Sequence, residues 1–233
     1  MTAPLSARAA PASPPSGPKT LAFTLAAVSG FVDGIGVSTI AGVFPSFMSG
    51  NTTGTAVALG TGDLATVGRI GMAIPLYVLA VTVGAWSMTR WPRARPVVWI
   101  AVAVLLAGFI LVDSVLPPVP EKGFALQSIP ILTLLVLPMG LLTMTLRQVA
   151  GTTVGLGYVT GTLVSLGESI AARLTRRGVG QKIVLFSGLW VSFFLAAACG
   201  GFAVSRVGPW SATVPIVILL ALLLASSIQA SRR

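Results

Sequence analysis

The chain has 233 residues, of which 55% are hydrophobic and only 9% charged, with a mean hydropathy of +0.94. A soluble domain carries roughly a quarter charged residues, so this composition excludes an ordinary soluble protein. The formal net charge is +10, but the basic residues stand at the ends of apolar runs. They make no basic face with interleaved aromatics, which excludes a nucleic-acid surface.

Residues 1–19, "MTAPLSARAAPASPPSGPK", are rich in Pro, Ala and Ser and read as a disordered tail. The apolar run after Lys19 is too long for a signal-peptide core and carries Asp33, so it reads as a retained first span. Long apolar runs follow in order: Leu21–Val43, Thr66–Met88, Val97–Leu116, Gln127–Leu146, Ile183–Val204 and Ala212–Ile228. Each approaches the ~20 residues that a helix needs to cross a bilayer. Two shorter stretches, Asn51–Gly60 and Thr162–Ala172, reach only about half that length.

The short stretches resemble each other. "FMSGNTTGTAVAL" from Phe47 pairs with "YVTGTLVSLGESI" from Tyr158, matching Ser49 with Thr160, Gly50 with Gly161 and Asn51 with Thr162. Each follows a long span and precedes two more. Charge decides between the topologies. If both short stretches crossed, Arg90, Arg93 and Arg95 would lie outside, against the positive-inside rule. If neither crosses, those three arginines lie inside. So do Arg173, Arg176, Arg177, Lys182, Arg232 and Arg233, while Asp113 and Glu121 lie outside; Arg206 is the mild exception. Each half then crosses three times, and an odd number makes the halves inverted copies.

The expected fold is therefore an all-α integral membrane bundle. It has about six transmembrane helices and two short re-entrant half-helices in two inverted repeats, 20–120 and 121–233. Both termini are expected in the cytoplasm. A helix can start inside a membrane if its start is buried in protein or lines a polar cavity. Ser49 or Asn51 is expected to cap the first half-helix, and Thr160 or Thr162 the second. Their N-termini would face each other near the midplane and favour an anion or a polar solute.

The segment "GFVDGIGVSTIAGVFPSFMSGNTTG" resembles the signature of the YoaK-like family of bacterial membrane proteins, and "VTGTL" at Val159–Leu163 resembles its second turn. The family is one of unknown function, so the resemblance implies an architecture in a bacterial cytoplasmic membrane and no activity. Its members often carry a Gln-Asn pair in the fourth long span, where this chain has Leu142 and Thr143.

The candidate substrate-binding residues are Asp33, Ser49, Gly50, Asn51, Thr52, Thr53, Arg147, Thr160, Gly161 and Thr162. An ionisable group in mid-span costs roughly 2.5–3.5 kcal/mol on insertion scales, so Asp33 needs a partner or a cavity. It reads either as a coupling carboxylate or as a cap that locks the short helix. Gly34 and Gly36 follow it, and a helix break is expected there. Arg147 reads as a partner of Asp33, as an anion donor, or as an arginine at a cytoplasmic helix end. Gly30-x-x-x-Gly34, Gly50-x-x-x-Gly54, Gly151-x-x-x-Gly155 and Gly157-x-x-x-Gly161 read as close-packing spacings. Glu168 reads as a boundary residue, and Trp86, Trp91, Trp99, Trp190 and Trp210 read as interfacial anchors.

No histidine is present. This removes histidine metal sites and Ser-His hydrolysis. The single cysteine, Cys199, can form no internal disulfide and is expected to pack in its apolar run. No cofactor, metal or enzymatic activity is expected. The expected function is secondary transport of a small polar or anionic solute. The alternative is a non-transporting membrane protein whose Gly-rich turns only hold the fold. Lipid and an unidentified solute are the expected partners, nucleic acid is not, and a homo-oligomer is left open.

Overall fold

The structure, a computed structural model, describes residues 16–91, 93–118, 125–149, 152–153, 155, 159–175 and 180–231. Most of the expected tail lies outside those residues, as do Glu121, Gly151, Gly157, Tyr158, Arg176, Arg177, Arg232 and Arg233. The elements are almost entirely helical. In the first half they are α1 (Lys19–Thr39), α2 (Met48–Gly60), α3 (Leu64–Gly71), α4 (Ala73–Arg90) and α5 (Ala94–Val115). In the second half they are α6 (Ser128–Thr143), α7 (Val159–Leu174), α8 (Gln181–Val207), a 3₁₀ turn (Gly208–Ala212) and α9 (Thr213–Ser231). The described residues also include three two-residue strands: β1 (Ser16–Gly17) pairs in parallel with β2 (Gln148–Val149), which pairs antiparallel with β3 (Thr152–Thr153).

Among the described residues, four helical segments are long and apolar enough to cross a membrane: Lys19–Thr39, Leu64–Arg90, Ala94–Val115 and Lys182–Ile228. The last has 47 residues and joins α8 to α9 through the 3₁₀ turn. α6 is apolar but only 16 residues long, shorter than the Gln127–Leu146 run suggests, because the chain leaves the helix at Met144. α7 has the same length as α6, yet it carries Thr160, Thr162, Ser165, Glu168 and Arg173 and is not an apolar helix. Large apolar side chains point outward along the long helices, among them Leu79, Val104, Leu111, Phe194, Leu195 and Leu224. The chain is a multi-pass membrane protein.

Glycine decides how the helices meet. α1 lies along α8, and α4 lies along α6. A Cβ added at Gly30 would collide with the Phe193 carbonyl oxygen, one at Gly34 with that of Ala197, and one at Gly200 with that of Phe31. A Cβ at Gly140 would lie 2.6 Å from the Ala80 Cβ, and one at Gly84 3.0 Å from Met144. Without a hydrophobic driving force between helices in lipid, close backbone approach supplies the dispersion contact that holds them. In both pairs the residue numbers rise together, so both crossings are parallel. α5 packs between α6 and α9, α2 packs on α3, and α7 on α8. The core is a continuous cluster that includes Leu25, Val32, Ile35, Leu106, Phe109, Leu135, Met139 and Leu185.

Three expectations are corrected. α1 runs unbroken through Gly34 and Gly36. These glycines make room for neighbours instead of freeing backbone: Gly34 for α8, and Gly36 for the Pro45 ring. Trp99 turns inward and is 4% exposed, unlike Trp86, Trp91 and Trp210, which are exposed as anchors should be. Cys199 is exposed on α8 rather than packed. Glu168 is exposed, as a boundary residue would be.

Candidate functional site

α1 places Asp33 six residues before its C-terminal end, which is about 9 Å back along the helix at 1.5 Å per residue. The chain leaves α1, turns at Gly42 with φ +81°, and returns to that depth. There the Ser46 N–H donates to Asp33 Oδ1 (2.6 Å) and the Ser46 hydroxyl donates to Oδ2 (2.8 Å). Asp33 and Ser46 are both buried. Asp33 thus pins the segment that leads into α2, close to the locking role among the two readings of it. No ion pair joins it to Arg147 among the described residues, because both carboxylate oxygens are turned to Ser46.

Asn51 makes a second clasp. Its side-chain oxygen accepts from the Phe44 N–H (2.9 Å) and its amide donates to the Phe44 carbonyl (2.7 Å). Asn51 is fully buried. It therefore does not cap α2 from outside, as expected from the sequence; it sits in the first turn and holds the preceding loop. Phe47 occupies the cap position, with no side-chain bond to the helix start. The Thr52 hydroxyl bonds back to the Met48 carbonyl (2.8 Å) and points away from the core, as does Thr53.

Gly50 lies under an edge-to-face pair, Phe44 and Phe47, with centroids 5.7 Å apart and an interplanar angle of 84°. A Cβ at Gly50 would come 2.9 Å from Phe47 and 3.1 Å from Phe44. Gly50→Leu is therefore expected to displace both rings and destabilise the protein by about 1–3 kcal/mol. A melting curve in detergent checks this; an unchanged midpoint would overturn the role given to Gly50.

The starts of α2 and α7 open onto one cavity of about 690 Å³. Ser46, Phe47, Met48 and Ser49 line it from the first side, and Thr160, Gly161, Thr162 and Ser165 from the second. Tyr77 of α4, Thr143 at the end of α6, and Arg147 close the remaining walls with Gly155 and Phe186. The Tyr77 and Thr143 hydroxyls lie 3.0 Å apart and tie α4 to α6. Among the described lining residues the one formal charge is Arg147; none is a carboxylate. A cavity with an arginine, several hydroxyls and two helix starts is arranged to take an anionic or polar group.

The structure thus brings Ser49, Arg147, Thr160, Gly161 and Thr162 together at this cavity. Gly50, Asn51, Thr52 and Thr53 do not line it. Asp33 lines a second, mostly apolar cavity of about 390 Å³ with Gly34, Val37, Ser38, Phe44, Phe47, Val159, Phe193, Ala197 and Gly201. Tyr77, Thr143 and Phe47 were not found from the sequence. A signal existed for two of them. Tyr77 is one of only two tyrosines, and its hydroxyl inside an apolar helix needs a partner. Thr143 carries a hydroxyl inside the apolar run Gln127–Leu146, where it too needs a partner.

Outside the spans, Asp63 caps α3 and accepts from the Thr66 N–H at 3.0 Å. The Thr66 side chain and backbone hold its carboxyl below the usual carboxylate range.

Long apolar helices packed through glycine around an internal polar cavity define a polytopic helical membrane protein. A family model described as "Protein of unknown function (DUF1275)" matches residues 21–225. The chain belongs to that family, which is the YoaK-like family. No curated protein and no solved structure matches the chain.

Proposed function

We propose that the protein is a secondary transporter of a small polar or anionic solute, held between the starts of α2 and α7 beside Arg147. The observation that carries this reading is the cavity of about 690 Å³ at that place. Were the two Gly-rich turns only a structural seam, side chains would fill the space between them.

The architecture supports the same reading. α2 has 13 residues and spans about 20 Å, short of a hydrocarbon core of ~30 Å. Its lead-in is fastened to Asp33 within the length of α1. We infer that α2 and α7 are re-entrant half-helices and that the halves are inverted repeats. In that correspondence α1 matches α6 and α4 matches α8, so the parallel α1–α8 and α4–α6 crossings are copies of each other. We place the protein in a bacterial cytoplasmic membrane with both termini inside, which sets Arg90, Arg93 and Arg95 on the cytoplasmic face. An enzymatic role is not part of this reading: among the described residues that line the cavity with Asp33, none is a second carboxylate.

A thermal-shift screen against small anions, amino acids, sugars and metabolites at two pH values tests the proposal. A ligand present at a hundred times its Kd should stabilise the fold by about 2.7 kcal/mol. For an anion, Arg147→Gln should weaken binding at least about tenfold, the loss of one charge-assisted hydrogen bond. An anion shift that survives Arg147→Gln unchanged would remove Arg147 from the site. A screen with no responding anion or polar solute would count against transport.

A further inference from the structure

We propose that Phe47 is the barrier between two successive compartments of one permeation path. The inference rests on the transport reading and adds a gate to it.

Phe47 lines both cavities. The larger one meets α8 at Phe186, whereas the smaller meets it at Phe193, Ala197 and Gly201. Seven residues along a helix is about 10 Å, so the cavities follow one another along the α8 axis. α1 runs parallel to α8, and it contributes Asp33, Gly34, Val37 and Ser38, all from its C-terminal half, to the smaller cavity alone. The first residues of α7 straddle the same boundary, with Val159 in the smaller cavity and Thr160 in the larger. Two spaces in line, sharing one aromatic wall, form an interrupted channel.

The wall is built to move as a side chain on a fixed base. The Phe47 backbone precedes the helix, with φ −98° and ψ 77°. Its neighbour Ser46 is held by Asp33 on one side, and Asn51 clasps Phe44 on the other. The ring itself rests edge-to-face on Phe44, over the missing side chain of Gly50. A rotamer change of the ring can therefore join the two spaces while the lead-in to α2 stays pinned. The chemistry differs across the ring: Arg147 and hydroxyls lie on one side, the Asp33 carboxylate and an apolar lining on the other.

Single-cysteine accessibility in oriented vesicles tests the gate without any ligand. Cys199→Ser removes the native thiol, which is exposed. Ser38→Cys then reports on the smaller cavity and Ser165→Cys on the larger, each probed with a membrane-impermeant maleimide applied to one face at a time. The expected result is reaction from opposite faces, one cysteine from each. Adding Phe47→Ala should let the reagent reach the Ser165→Cys position from the face that labels Ser38→Cys, at least tenfold faster than before. Phe47→Leu should do the same to a smaller degree, and Phe47→Trp should keep the original pattern. Reaction of both cysteines from the same face, or no reaction at Ser38→Cys from either face, overturns the proposal even if no Phe47 variant folds. Unchanged sidedness in folded Phe47→Ala or Phe47→Leu protein overturns it as well. A ligand shift in the thermal screen beside a failed gate leaves transport standing; the expected sidedness with no ligand shift leaves the path without its cargo.

Discussion

Gly200→Val is expected to remove the folded protein. At Gly200 even a Cβ would collide with the Phe31 carbonyl oxygen, and it would lie 2.9 Å from the carbonyl carbon and 3.0 Å from the Cα behind it. Backbone cannot give way as a flexible side chain can, so α1 and α8 must separate along the crossing. Gly34 on the facing helix is as tightly placed, with Ala197 and the Gly201 nitrogen against it. Opening this crossing exposes the Gly face of α1 and loosens the depth at which Asp33 meets Ser46. The expected cost is about 4 kcal/mol or more, in the range reserved for backbone and core disruption. Size-exclusion profiles of a fluorescent fusion check it, with Gly167→Ala as the control. Gly167 has nothing within 4 Å of an added Cβ, so that variant should elute as the native protein does. A monodisperse Gly200→Val peak with an unchanged melting point would mean that the α1–α8 crossing is not as close as described.

Asp33→Ala and Asp33→Asn are expected to differ sharply. Alanine deletes both acceptors of Ser46 and leaves a buried N–H without a partner. Hydrogen bonds to a charged group are worth ~1.5–3 kcal/mol each, so the loss should be about 3 kcal/mol or more. Asparagine keeps the shape. Its oxygen can accept from the Ser46 N–H, and its amide can donate to the Ser46 hydroxyl, which then acts as acceptor. Asp33→Asn should therefore fold, and melting in detergent should fall by far less than for alanine. The same variant isolates charge from structure. If Asp33 carries a coupling proton, Asp33→Asn should abolish proton-driven uptake in a protein that still melts near the native temperature. Full uptake by Asp33→Asn would leave Asp33 as a lock and nothing more. Equal destabilisation by both variants would show that the Ser46 clasp depends on the charge itself.

The membrane class was legible because composition and run length depend on no tertiary detail. The two short helices were legible too: α2 and α7 are polar enough at Ser49, Asn51, Thr160 and Thr162 to stand out from the apolar runs around them. What failed was the assignment of local jobs. Asn51 has the look of a cap residue, yet the bonds it makes reach seven residues back to Phe44, because the loop folds over the helix start. Gly34 and Gly36 look like breakers in isolation, but a neighbouring backbone at Ala197 and a ring at Pro45 fill the space above them. Propensity cannot see a partner that is distant in sequence. Thr143 and Tyr77 were missed for the same reason: they are 66 residues apart and meet only when α4 and α6 cross.

The two main crossings also set an order of events during synthesis. α1 is made first, yet the residues that fit its glycine face, Phe193, Ala197 and Gly201, come roughly 160 residues later. At ~5–20 residues per second, that face waits about 8–30 s before its partner leaves the ribosome. α4 and α6 are closer in the chain but also belong to opposite halves. Each half therefore holds the other's missing surface, and a chain cut in the loop after α5 would leave α1 and α4 both without their mates. Assembly of this protein is an interlocking of halves, completed only when α8 arrives, and until then the insertion machinery or the lipid must shelter the groove on α1.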